Sequence, residues 1–487
     1  MLNCLSTKTV KKSIYFEITT LYDQLLKPMD HQDTIAAVAT PPGVGGIGVI
    51  RISGSRAEAI VLQLFRPHGQ PKAMESHHMY HGDIISIQSK AILDEVLLCL
   101  MRAPHSYTGE DVSEIHCHGG PFLIEAILRE VIQAGARIAE PGEFTKRAFL
   151  NGRMDLSQAE AVCDIIHARS QKAAILAISQ LKGSLMQMVE KWQDILIDQL
   201  AVLETSIEFS EEMIRPELTE ISSDTILSLL EEIRSVHATY REGRIYRHGA
   251  NIIIAGRPNV GKSSLLNRLL GEQRAIVTPI PGTTRDFIDE TMNIKGVPIR
   301  LTDTAGIGPT DNIIESEGIR RVWEKVTDAD VVIVLVDGAE PMTFGDDDIL
   351  AKINPDHLIV AINKCDLPAA FTDDAIASRI AGMKPLRISA KFGQGIDNLK
   401  EAIYDKMIND RSYKGGEVII TNLRHCMALE KTIEAIQPAL SGLKNNISPE
   451  LIAYELEEAR NCLGELSGQK TNKDTLNRIF SNFCIGK

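Results

Sequence analysis

The segment Gly256-Arg-Pro-Asn-Val-Gly261-Lys262-Ser263 has the residue types and spacing needed to hold a polyphosphate. Its glycines let backbone N–H groups close around phosphate oxygens, Lys262 can neutralise β and γ charges, and the Ser263 hydroxyl can ligate magnesium. Asn259, Val260 and Ser264 complete the loop and the start of the helix that must follow it. Further along, Asp303-Thr304-Ala305-Gly306 offers a carboxylate to magnesium's water shell and the Gly306 N–H to a γ-phosphate. Asn363-Lys364-Cys365-Asp366 then offers the Asp366 carboxylate to the N1–H and 2-amino group of guanine, a pairing that adenine cannot make. Ser389-Ala390-Lys391 fits a loop closing over the base. Thr283 and Thr284, in Gly282-Thr-Thr-Arg-Asp286, fall where a switch that senses the γ-phosphate through magnesium is expected. Each motif alone reads as a turn at a strand end. In this order they predict a GTP-binding and GTP-hydrolysing site between about residues 251 and 391.

One catalytic part is missing from the pattern. The residue after Asp303-Thr-Ala-Gly is Ile307, where Ras-like proteins carry the glutamine that orients the attacking water. An isoleucine cannot do this, so water positioning and transition-state charge stabilisation must come from another residue, a partner or a cation.

The elements around these motifs follow from periodicity. Apolar runs at 251–255, 297–301, 331–336, 358–362 and 386–388 alternate with helical segments, which predicts a mostly parallel sheet covered on both faces. Residues 156–247 are rich in Ala, Leu, Ile, Glu and Gln with few glycines, and the pattern returns at 421–437 and 449–466. The simplest arrangement pairs the two stretches in one helical bundle with the α/β region inserted between them. Residues 34–151 read as a compact α+β domain, with strands near 34–40, 48–52 and 95–101 and a helix over 122–134. Its glycine-rich stretches at 41–48 and 119–120 are read as turns ahead of anion cradles.

Composition excludes several classes. The chain has 487 residues, 44% hydrophobic and 24% charged, so two to four globular domains are expected rather than disorder. A net charge of -13 argues against a general polyanion-binding surface, leaving only a local patch such as Arg241, Arg244, Arg247 and His248, which a helix would place on one side. A solvated helix end explains that patch more simply. The eight cysteines form no Cys-x-x-Cys pair, which points to a reducing, cytoplasmic compartment. His116, Cys117 and His118 do not read as a metal site, because neighbours on a strand face opposite ways and supply no fourth ligand. No run approaches the ~18 to 20 apolar residues that cross a bilayer. Residues 1–30 are an extension of uncertain status, and Met29 would serve equally as a first residue.

These motifs, together with the terminal Phe483-Cys484-Ile-Gly-Lys487, closely resemble the MnmE (TrmE) family of tRNA modification GTPases. Ala39-Thr-Pro-Pro-Gly43, Gly45-Gly-Ile-Gly-Val-Ile-Arg51, Thr108-Gly-Glu-Asp111 and Pro141-Gly-Glu-Phe144 extend the resemblance from about Asp33 to the end. It implies a multidomain α/β and α+β protein: a folate-binding and dimerisation domain over 31–151, a helical domain over 152–247 and 411–487, and a Ras-like P-loop domain over 248–410 inserted between its parts. The implied activity is GTP hydrolysis coupled to adding aminomethyl or carboxymethylaminomethyl groups at C5 of the wobble uridine of tRNA. It implies a homodimer that joins the flavoprotein MnmG (GidA) in a heterotetramer or larger complex, with a 5,10-methylene- or 5-formyl-tetrahydrofolate as one-carbon source. It also implies folate ligands at Arg51, Glu114 and Arg153, and magnesium at Ser263 and Thr284. Potassium ligands fall on Asn259, Thr278, Ile280 through its carbonyl, and Thr283; the water-ordering acid is Glu315, two residues from Glu317. Cys484 is the family's functional cysteine; prenylation is rejected because Lys487 is not a usual terminal residue and no polybasic stretch precedes it. The alternative function is a regulatory GTPase of ribosome assembly, which would carry an RNA-binding module such as a KH domain; the helical region after Lys391 shows no Gly-x-x-Gly loop of that kind.

Overall fold

The computed structural model describes residues 33–69, 73–208, 222–272, 289–303, 323, 326–380, 382–408, 418–445, 447–468, 471–484 and 486. The chain forms two compact units, Met1–Cys163 with Thr471–Lys487, and Asp164–Lys470.

The first unit is built on a seven-stranded sheet, β1 (Ile35–Val38), β2 (Ile47–Ser53), β3 (Phe65–Pro67), β4 (Met79–Ile85), β5 (Ile92–Met101), β6 (Val112–His118) and β7 (Arg137–Ile138), in the order β3-β4-β5-β6-β2-β1-β7. Its neighbours are antiparallel except the parallel pair β1–β7. Strand alternation decides which face is covered. Val96, Leu98 and Leu100 of β5 are buried with Ile50, Ile52 and Ile115 beneath the helices Ala57–Leu64 and Pro121–Gln133. Helix Pro121–Gln133 starts with proline at its first turn and lays down Ile124, Ile127 and Val131 at the three-to-four-residue spacing of a core face. Each such side chain stabilises by roughly 1.5–3 kcal/mol on burial. The other face carries Arg51 and Glu114, directly opposite one another in the β2–β6 register. The glycine-rich stretches face each other, Gly45 N–H donating to the Gly119 carbonyl at 3.1 Å.

The end of the chain belongs to this unit. Helix Lys473–Phe480 packs on helix Glu143–Leu150, and Phe480 and Phe483 bury against Leu156 and Ala159. Gly486 follows with φ +92°, and a Cβ there would lie 2.3 Å from the Val38 carbonyl oxygen, so only glycine lets the tail lie against β1.

An ionic network around buried Arg147 and Glu143 holds the start of β1, β7 and helix Glu143–Leu150 together. The Arg147 guanidinium, with a side chain only 6% exposed, donates to Asp33 at 2.8 Å, Glu143 at 3.0 Å and Glu110 at 3.2 Å. Arg137 also donates to Glu143 at 2.8 Å. Burial acts to raise the Glu143 pKa, but Arg137, the Glu140 N–H and Arg147 outweigh it and hold the carboxyl below its ordinary 4.5. A depressed folded-state pKa gives stability that is present above 4.5 and lost as pH falls through the folded value. Glu143→Gln should cost about 1.5–3 kcal/mol at neutral pH and reduce the acid sensitivity of this unit. Hydrogen-exchange protection of β1 and β7 peptides, corrected for intrinsic rates between pH 7 and pH 4, checks both expectations.

In the second unit, a six-stranded sheet has the order β13-β12-β11-β8-β10-β9. Its strands are β8 (Ala250–Ala255), β9 (Asp289–Ile294), β10 (Val297–Asp303), β11 (Val331–Asp337), β12 (Leu358–Asn363) and β13 (Leu386–Arg387), all parallel but for the β9–β10 hairpin. β11 and β12 are buried along their whole length, as continuous apolar runs between two layers require. The bundle core draws on both sides of this sheet in sequence: Trp192, Leu196, Leu229 and Ile233 pack with Leu429, Ile436, Leu456 and Leu463. The Ras-like domain is therefore inserted into the helical one.

Candidate functional site

The phosphate loop runs from the end of β8 into helix Lys262–Glu272. Gly261, at φ +101°, has no room for a side chain, because a Cβ would lie 2.3 Å from Asn363 Nδ2. Asn259 is also left-handed, φ +64°, a conformation asparagine tolerates better than most residues. Val260 is buried, and Lys262 is 7% exposed with its ammonium donating to the carbonyls of Gly256 at 2.9 Å and Arg257 at 2.8 Å. Ser263 and Ser264 are exposed in the first turn of the helix. The glycine-lined loop and helix N-terminus make a cradle that fits phosphate oxygens.

The base-side loops are tied to this cradle by two side chains, Asn363 and Arg268. Asn363, 3% exposed at the end of β12, donates from Nδ2 to the Val260 carbonyl at 2.8 Å and accepts at Oδ1 from the Ala390 N–H at 2.9 Å. Lys364, φ +64°, pairs with Asp337. Asp366 is exposed and accepts from the buried Ser389 hydroxyl at 2.6 Å. Arg268, from the phosphate-loop helix, holds the carbonyls of Ala390, at 3.2 Å, and Lys391. Asp303 ends β10 level with Ile254 of β8, beside the start of the loop. The structure thus brings together Asn259 to Ser264, Asp303, Asn363, Lys364, Asp366 and Ser389 to Lys391. Thr278, Ile280, Thr283, Thr284, Thr304, Ala305, Gly306, Ile307 and Glu315 lie outside the described residues.

A second constellation lies in the first unit. Arg51 Nε donates to Glu114 Oε1 at 2.8 Å, its guanidinium carbon sits 5.1 Å from the Tyr107 ring centre and 5.8 Å from that of Phe144, and Nη1 donates to the Gly486 carbonyl at 3.4 Å. Arg153 donates to the Ser106 carbonyl at 3.1 Å. Arg153 and Tyr107 line a cavity of about 330 Å³ with His77, Met101, His105 and Ser106. Burial pushes the Tyr107 hydroxyl up, against the opposing effects of its bond to Thr145 and of Arg51. Cys484 is exposed two residues before Gly486. Sequence reasoning missed Tyr107, Asn363's bridging role and Arg268; a lone tyrosine or arginine carries no spacing signal.

Two other candidates resolve differently. Helix Tyr240–His248 forms as expected, but Arg244 is paired with Asp330 and Arg247 with Asp164 at 2.7 Å, so two of its arginines serve packing between elements. His116 lies 3.5 Å from Glu114, while Cys117 turns to the buried side, bonds the Gly48 carbonyl at 3.4 Å, and is pushed up to about 11 by burial and Asp94. No helix among the described residues is long and apolar enough to cross a membrane.

Comparison with known proteins gives these sites a family. Residues 34–153 match the model of the GTP-binding protein TrmE N-terminus and residues 156–484 that of the MnmE helical domain. A tRNA modification GTPase MnmE from Syntrophus aciditrophicus is 50% identical over 456 residues, covering 94% of this chain and 100% of the relative. One from Natranaerobius thermophilus is 42% identical with the same coverage. The G domain of the T. maritima FeoB iron transporter is 29% identical over 33% of this chain and 99% of that domain, at a TM-score of 0.27 that carries no structural argument. With half its residues shared along the full length of such a relative, and with a guanine-type P-loop site assembled as described, the chain belongs to the MnmE family of tRNA modification GTPases, enzymes that hydrolyse GTP.

Proposed function

We propose that this chain is the GTP-hydrolysing subunit of a cytoplasmic complex that, with a flavoprotein partner of the MnmG type, adds an aminomethyl or carboxymethylaminomethyl group to C5 of the wobble uridine in tRNA. A tetrahydrofolate derivative supplies the carbon, and the working form is a homodimer. The observation that carries the reading is Arg51, bonded to Glu114 and the Gly486 backbone and set over the Tyr107 ring, while Tyr107 and Arg153 line a cavity of about 330 Å³. A pterin-glutamate has a flat ring with hydrogen-bonding edges and an anionic tail. Tyr107 can pack against the ring, Glu114 can accept from it, and the arginines suit carboxylates. The exposed thiol of Cys484 belongs to the same unit as this constellation, which supports a role in the modification chemistry.

At the other site, Lys262 and the loop N–H groups hold the β and γ phosphates, and Asp366 reads guanine. Ser263, Thr284 and Asp303 would hold magnesium, which would supply neutralisation of phosphate charge when bound. The test is mass spectrometry of wobble uridines in tRNA from a deletion strain carrying this gene or none. Unmodified uridine in both would refute the reading.

Folate binding has its own expected outcome. Arg51→Ala removes a charge-assisted hydrogen bond worth roughly 1.5–3 kcal/mol, so a stable formyl-folate should bind at least about tenfold more weakly, while GTP affinity stays the same. Calorimetry with both ligands checks this, and equal folate affinity in the two proteins would count against Arg51.

A further inference from the structure

The β3–β4–β5 end of the first sheet gathers side chains that neither the nucleotide nor the folate site uses. His68 follows β3, His81 lies in β4 and Glu95 in β5. Among the described residues, these three are the one group of His, Cys, Asp or Glu whose ligand atoms all lie within 4.8 Å of one another. His81 Nε2 is 2.7 Å from Glu95 Oε1, and His68 Nδ1 is 3.9 Å from the same oxygen. The two imidazoles meet edge to face with centroids 4.6 Å apart. The other nitrogen of His68, Nε2, lies 3.0 Å from Asp83 Oδ1.

The tautomer follows from this arrangement. A carboxylate at Nε2 keeps the proton there, which leaves the lone pair of His68 at Nδ1, turned toward Glu95 and His81. Metal-ligating histidines are held in the same way, one nitrogen on the ion and the other donating to a carboxylate. Two independent surface hydrogen bonds would account for each His–carboxylate pair. Asp83 and Glu95 also lie directly opposite in the β4–β5 register, where like charges destabilise unless offset; Arg66 of β3 stands opposite Asp83, and a cation held by His68, His81 and Glu95 would offset Glu95.

We propose that His68, His81 and Glu95 bind one divalent transition-metal ion, zinc by preference, with Asp83 orienting His68. Two nitrogen donors and one oxygen suit zinc and its neighbours, whereas magnesium and calcium take oxygen ligands. Tetrahedral ligand bonds of about 2.0–2.2 Å set the donor atoms roughly 3.3–3.5 Å apart, so His68 Nδ1 must close on Glu95 from 3.9 Å and His81 Nε2 must open from 2.7 Å, adjustments open to side chains that are 44%, 52% and 58% exposed. Three protein donors leave a fourth position for water, and the ion would clip the end of β3 to β4 and β5.

The test uses the full chain, stripped with chelator and titrated with zinc by calorimetry, then with cobalt(II) followed by visible absorption. The expected result is one equivalent per chain with a cobalt spectrum of nitrogen and oxygen ligation, lacking the thiolate charge-transfer band that a cysteine site would show. His81→Gln should weaken zinc binding by about a hundredfold, and Asp83→Asn by about ten- to a hundredfold, the usual effect of losing a partner behind a ligand. His116→Gln should leave it unchanged. Hydrogen-exchange protection of the β2 and β6 peptides at the parent level shows that the first unit of each variant is folded. Equal zinc affinity in His81→Gln, or a thiolate band in the cobalt spectrum, overturns the site; equal affinity in Asp83→Asn overturns the orienting role.

Discussion

Asp366→Asn is expected to exchange guanine for xanthine as the preferred base. The parent carboxylate accepts from guanine N1–H and the 2-amino group. The amide keeps one acceptor but turns a donor toward position 2, where xanthine carries a carbonyl. Losing a charge-assisted hydrogen bond worth about 1.5–3 kcal/mol lowers GTP affinity by roughly ten- to a hundredfold. Xanthosine triphosphate gains by a similar factor, so the preference ratio should move by about two to four orders of magnitude. The surroundings make the substitution a clean probe. Ser389 donates to Oδ1 of Asp366 at 2.6 Å, and an asparagine oxygen can accept the same bond. The loops stay in place because Asn363, not Asp366, ties Val260 to Ala390. Competition titrations with the two nucleotides measure the ratio, and an unchanged preference would remove Asp366 from the base site.

The P-loop could be read from sequence because its chemistry is mostly backbone chemistry. Glycines mark where N–H groups must approach phosphate, and the strand before and helix after follow from short-range periodicity. The same holds for β11 and β12, whose unbroken apolar runs could only be strands buried on both faces. The alternation argument also gave the right faces at His116 and Cys117. What stayed hidden depends on pairing across long separations. Arg51 meets the Gly486 carbonyl across 435 positions, and nothing in the local pattern of either segment signals it. The arginines of helix Tyr240–His248 show the same limit. Their common side was legible, but their partners, Asp330 and Asp164, are 86 and 83 positions away. The folate residues came from family resemblance alone, since an arginine and a glutamate opposite each other on a sheet read equally well as a structural ion pair.

Faster GTP hydrolysis in potassium than in sodium at equal ionic strength is the expected result with the most bearing on mechanism. Ile307 cannot orient water, so another group must, and the charge that develops beside the β–γ bridge needs an arginine, a partner or a cation to stabilise it. The resemblance assigns this to potassium held by Asn259, Thr278, the Ile280 carbonyl and Thr283, with Glu315 ordering the attacking water, and to two GTPase domains meeting across the nucleotide. Of these, Asn259 is among the described residues, left-handed at φ +64° next to buried Val260. That conformation shapes the experiment. Asn259→Ala removes the amide but also puts a Cβ-bearing residue where the left-handed form costs roughly 1–2 kcal/mol, so any loss could be loop strain. Asn259→Gly removes the amide and tolerates the backbone. If the side chain holds the ion, both variants lose the potassium advantage; if only loop shape matters, the glycine variant keeps it. Losing one well-placed electrostatic contact typically costs about a hundredfold in turnover, and that is the difference expected between the salts in single-turnover assays. Glu315→Ala should slow the same step with GTP affinity intact, because a water-ordering carboxylate acts after the nucleotide is bound. Equal rates of the parent protein in the two salts would sink the cation mechanism and leave a protein-supplied arginine as the source of charge.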